Sequence, residues 1–197
     1  MPSAAFRRSH NIVQHDRGLA YNTARSGRRF TVSHQSIGTT VVAQTSFAAT
    51  TPTFLIYHTA GLQKLILSSL SLSQVSPVAG GPINVLIATD RVSRFSAGGT
   101  AVVPLPTFNS GDTGDSAAAD RSPDFTFVYN PTATVAQTKT RYAYKFIVTQ
   151  NVTSPVPLSL DFEDGLIAGK VGSISIYVWA ATTAPTLDFS FDIIEEV

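Results

Sequence analysis

Apolar side chains recur at alternate positions in short runs along this chain, the spacing of half-buried β-strands rather than of helices. In the stretch Gly172–Ile194, Ile174, Ile176, Val178 and Ala180 share one face of a strand, and Leu187, Phe189, Phe191 and Ile193 share one face of the next. The residues between them, Ala181–Pro185, are small and polar and end in proline, which predicts an antiparallel hairpin. The same alternation runs through Asp124–Tyr129, Arg141–Thr149 and Leu158–Phe162. Thr39–Phe47 is rich in β-branched residues, and Thr53–His58 sets Phe54 and Ile56 on one face.

The longest candidate strand is Gln63–Ser76, whose apolar parity shifts from Leu65 and Leu67 to Leu70 and Leu72 around Ser68-Ser69. A bulge there, or burial on both faces at the start of the strand, accounts for that shift. After a Pro/Gly loop at Pro77–Pro82, the nearly continuous apolar run Ile83–Thr89 predicts a second hairpin. Asp90–Ser122 has the weakest pattern. The prolines in Ala101–Pro106 confine that part to an edge or an extended connection, and the whole stretch Asp90–Ser122, with its polar run, reads as a surface-contact insertion. About eight to ten short strands with no amphipathic helix predict an all-β, jelly-roll-like β-sandwich with an extended N-terminal arm.

The arm is where charge changes the picture. Residues 1–36 are assigned as a flexible basic arm and 37–197 as the sandwich, although β character begins at Phe30. Residues 1–29 hold Arg7, Arg8, Arg17, Arg25, Arg28 and Arg29 against Asp16, a net charge of +5 before histidine is counted. Residues 161–197 hold seven carboxylates against Lys170, a net charge of −6. The six arginines are therefore the expected partner-binding residues, with a polyanion, an acidic surface or a neighbouring copy as the partner. Charged residues make up only 14% of the whole chain, against roughly 25% in an average soluble domain. This points to a surface partly covered by an oligomer or an assembly.

Candidate chemistry is sparse. Cysteine is absent, which excludes disulfides and cysteine metal sites. No apolar run has the length of a membrane span or the form of a secretory leader. His10, His15, His34 and His58 lack zinc-type spacing, and no nucleophile elbow, phosphate loop or dinucleotide glycine pattern occurs. Asp112, Asp115 and Asp120, and separately Asp161, Glu163 and Asp164, are oxygen-rich sets that read as solvated loops rather than cation sites. No enzyme, cofactor or metal is expected. Tyr177 and Trp179 lie opposite the apolar face of their strand, so they are either a subunit contact or core in a strand covered on both sides.

In order and texture, TTPTFLIYHTAGLQKLILSSLSLSQ, INVLIATDRVSRFSAGGT and GSISIYVWAATTAPTLDFSFDIIEE resemble small jelly-roll structural proteins of tailed bacteriophages, including capsid decoration or cement proteins. The resemblance implies a non-enzymatic virion protein on the capsid, expected to be a homotrimer, that binds the major capsid protein lattice and stabilises it by mass action. Two alternatives stand beside it. One is a jelly-roll viral coat protein whose arm faces nucleic acid, and the other is a receptor-binding or tail-fibre head domain that reads host glycans.

Overall fold

A computed structural model describes residues 27–34, 36, 38–58, 63–75, 81–107, 122–134, 140–150 and 157–196. In chain order the strands are β1 (Arg29–Ser33), β2 (Val41–Val42), β3 (Phe54–His58), β4 (Lys64–Val75), β5 (Gly81–Asp90), β6 (Phe95–Ala97) and β7 (Thr100–Val102). They continue as β8 (Leu105–Pro106), β9 (Phe125–Tyr129), β10 (Thr132–Ala133), β11 (Arg141–Gln150), β12 (Leu158–Ala168), β13 (Ser173–Ala180) and β14 (Thr186–Glu196). One sheet has the order β12-β4-β14-β1-β8, with β2 also on β14, and the other has the order β11-β5-β13-β3-β9-β7.

Four long-range pairings explain this order. β1 pairs with β14, β3 with β13, β4 with β12 and β5 with β11, all antiparallel. The first four principal strands thus meet the last four in reverse, as in one long hairpin rolled up until its strands alternate between two layers. That is the jelly-roll pattern, with the tip of the hairpin between β5 and β11. The expected all-β jelly-roll sandwich is what the chain forms.

Both predicted short hairpins are corrected. β13 and β14 do not pair with each other: β13 lies between β5 and β3, and β14 between β4 and β1. β4 and β5 likewise sit in opposite sheets. Alternation establishes only that a strand has an apolar face. Two such faces are satisfied as well by facing one another across the sandwich, about 10 Å apart, as by lying side by side. The segment Ala181–Pro185 is long enough for that crossing, and the Pro185 carbonyl accepts the Ala43 N–H at 2.8 Å.

The parity argument for β4 holds. Asp192 pairs with Ser69 and Ile193 with Leu67, so Ser68 is bulged out, and β12 shifts register at the same place, between Asp161 and Leu166. The prolines of 101–106 do lie at edges, β7 bordering one sheet and β8 the other. The segment 39–47 is less of a strand than expected, contributing only β2 and an isolated bridge from Gln44 to Trp179.

The domain boundary also moves. Arg29–Ser33 is a full strand of the first sheet, with Phe30 and Val32 completely buried, so the basic segment ends before residue 29 and not at 36. Alternate burial of β1 and β14 brings Phe30, Phe54, Phe127, Phe189 and Phe191 into one core. Phe54 lies 5.0 Å from Phe189 and 5.2 Å from Phe191, ring centre to ring centre. The outer faces of the two sheets differ. Phe47 and the buried Arg94 cover the β13 sheet, whereas the other carries small polar rows, such as Ser33, Ser190, Ser71 and Ser159 side by side on four strands.

Candidate functional site

The register collects the chain's charges at one end of the sandwich. Arg29 pairs with Ile194, Lys64 with Glu196 and Leu65 with Ala168 in the first sheet. In the second sheet, Ser173 pairs with Tyr57 and Asp90, and Arg141 with Thr89. The short connection from Ala168 to Ser173 joins the two sets, so both belong to the same end. Arg28, Arg29, Lys64, Arg91, Arg141 and Lys170 are therefore gathered there. Among the described residues only Arg94, buried over β13, and Lys145, midway along β11, carry positive charge elsewhere.

Polar contacts close the centre of this end. The Gln63 amide donates to Asp124 Oδ2 at 3.1 Å, the Asp124 N–H donates to Glu195 Oε1, and the Glu195 N–H donates to the Arg28 carbonyl at 2.8 Å. His58 is buried beside them, next to the Asp124 backbone. Burial pushes its pKa below 6.5, against the opposing pull of Asp124. The rim is paired too. Arg29 Nη2 donates to Asp192 Oδ2 at 2.7 Å, the Thr31 hydroxyl donates to Asp192 Oδ1 at 3.1 Å, and Lys64 meets Glu196 at 3.2 Å.

These positions revise the expected sites. Arg28 and Arg29 belong to the folded body and are engaged by its own backbone and carboxylates, so they are not free arm residues. Arg7, Arg8, Arg17 and Arg25 lie outside the described residues, as do His10, His15, Asp112, Asp115 and Asp120. Sequence alone places the four arginines on the chain that leads into Gly27 at this end. Glu195 is buried, and Glu196 forms an exposed pair with Lys64.

Tyr177 is corrected as a surface contact. It is 2% exposed, its hydroxyl donates to the Ala49 carbonyl at 3.0 Å, and it accepts from Arg94 Nη1 at 2.8 Å. Burial pushes its pKa up, opposed by Arg94. Trp179 is half-buried, 5.4 Å from the exposed Phe47 ring. Because β13 and β14 are in different sheets, Tyr177 and Trp179 share no face with Asp188 and Asp192.

Sequence reasoning missed Arg94. Its guanidinium is fully buried, 3.5 Å from Asp90 Oδ2, and donates to the Thr134 and Ala49 carbonyls at 2.8 and 2.6 Å. Asp90 also accepts from the Thr140 hydroxyl. This network pins two connections onto the β13 sheet. Among the described residues no set of His, Cys, Asp or Glu converges to hold a metal ion. Comparison with protein-family models and with curated proteins returns no match.

Proposed function

We propose that this chain is a non-enzymatic structural subunit of a virion, a jelly-roll coat protein whose charged end, where carboxylates pair with part of the Lys and Arg, and basic N-terminal segment face packaged nucleic acid. The observation that carries the reading is the gathering of Lys and Arg at the one end where the basic segment joins the body. An arm that met a polyanion alone would need no such polarity in the sandwich. Phosphate neutralisation releases counterions, so affinity for nucleic acid should fall steeply with salt, whatever the base sequence. The test is anisotropy of a labelled single-stranded oligonucleotide with the purified full-length protein across a salt series, together with electron microscopy of the protein with and without nucleic acid. Salt-sensitive binding and shell formation support the coat role. Absence of both, from protein that is folded, counts against it.

The small polar side chains on the outer face of the β14 sheet favour a second reading, in which the protein decorates a capsid. The row of Ser33, Ser190, Ser71 and Ser159 offers hydrogen bonds to a lattice without a hydrophobic patch that would aggregate beforehand. That role predicts binding to preformed heads of the major capsid protein and indifference to nucleic acid, the opposite outcome in the same assays.

A further inference from the structure

We propose that the folded body carries its own phosphate-binding site, a surface cavity rimmed by Arg91, Arg141 and Lys170 that takes the backbone of a single-stranded nucleic acid. The inference rests on the coat reading and deepens it, because it places a contact outside the basic segment. The cavity has a volume of about 460 Å³ and lies between the end of β5, the start of β11 and the turn from β12 to β13. The three cations come from three separate parts of the chain. All are exposed, and among the described residues none of the three side chains makes a hydrogen bond or ion pair.

The contrast with the neighbouring acids is what gives the cavity its sign. Asp192 is held by Arg29, Glu196 by Lys64, and Glu195 by the Asp124 N–H. The one carboxylate in the cavity wall, Asp90, is 4% exposed and faces Arg94 and Thr140. Three cations around one depression repel one another, and an anion seated between them removes that cost. Two guanidinium forks and one ammonium suit phosphate oxygens. Among the described residues no aromatic ring lines the cavity, so they offer a base no stacking platform and the site reads backbone rather than sequence. Ile167 and Val171, both more than half exposed, offer apolar surface to the sugar.

The experiment is anisotropy of labelled oligo-dT with the full-length protein, with affinity followed against salt. The triple variant R91Q/R141Q/K170Q should fold as the parent does and flatten the slope of log affinity against log salt by about 2, since each phosphate left without its cation on a single strand lowers that slope by roughly 0.7. Lys145→Gln, which removes a charge midway along β11 and away from this end, should leave the slope unchanged. An unchanged slope in the triple variant, with flattening in R7Q/R8Q/R17Q/R25Q, sinks the cavity and leaves the coat reading standing. Absence of oligo-dT binding by the parent protein sinks both. Competition by poly-glutamate that disappears in the triple variant would assign the cavity to a protein carboxylate and overturn the proposal.

Discussion

Arg94 is a cation with no access to water, and its five N–H donors hold an acid, a phenol and two carbonyls together. Removing it strands Asp90 as a buried unpaired charge, so Arg94→Met should lower the unfolding free energy by roughly 3–5 kcal/mol in urea titration. Arg94→Lys should recover only part, because an ammonium lacks the planar fork. His58 makes a second prediction. Its folded pKa lies below the ordinary 6.5, so the unfolded chain takes up the proton first as pH falls. The contribution is complete above 6.5 and is lost progressively below it. Unfolding free energy should therefore decline on acidification, and His58→Gln should flatten that decline. Neither residue was legible in the sequence. Arg94 sits in the patternless DRVSRF, and its carbonyl partners are 40 and 45 residues away.

Strands were more legible than residues, because a strand announces itself through its own side-chain alternation. β14 buries Leu187, Phe189, Phe191 and Ile193 and exposes Asp188 and Ser190, the division its sequence implies. Phe191→Ala should cost roughly 3–5 kcal/mol, since the ring packs against Phe54 and Phe127 and leaves a cavity that the two opposed sheets cannot close. Even the bulge in β4 was visible, because skipping one residue reverses every side chain beyond it. Pairing was not visible. The partner of a strand is chosen by topology, and the nearest strand in sequence turned out to be across the core rather than alongside.

For the whole molecule, the basic segment was plain in the sequence, but the charged end of the body was not. Arg91, Arg141 and Lys170 are isolated cations until the rolled-up register brings them to one cavity. The corrected boundary has its own test. Deleting residues 1–26 should leave a cooperatively folded sandwich with weaker nucleic-acid binding. Deleting 1–36 should also remove β1 with Phe30 and Val32, uncovering the edge of β14, and the protein should aggregate or unfold. Light scattering and thermal unfolding of the two truncations distinguish these outcomes.

The central place of β14 has a consequence for synthesis. β14 is made after the other thirteen strands described and is flanked by β4 on one side and β1 on the other, so a nascent chain that has reached β13 still has a gap down the middle of one sheet. Its earliest partner, β1, has by then waited for about 150 residues of translation, some ten to thirty seconds at ordinary elongation rates. The edges of β1 and β4 that pair with β14 remain open throughout. The sandwich therefore closes only once β14 has emerged, with the slow kinetics expected of long-range pairing, and a ribosome-tethered pause just before Thr186 should be the point at which chaperone dependence is greatest.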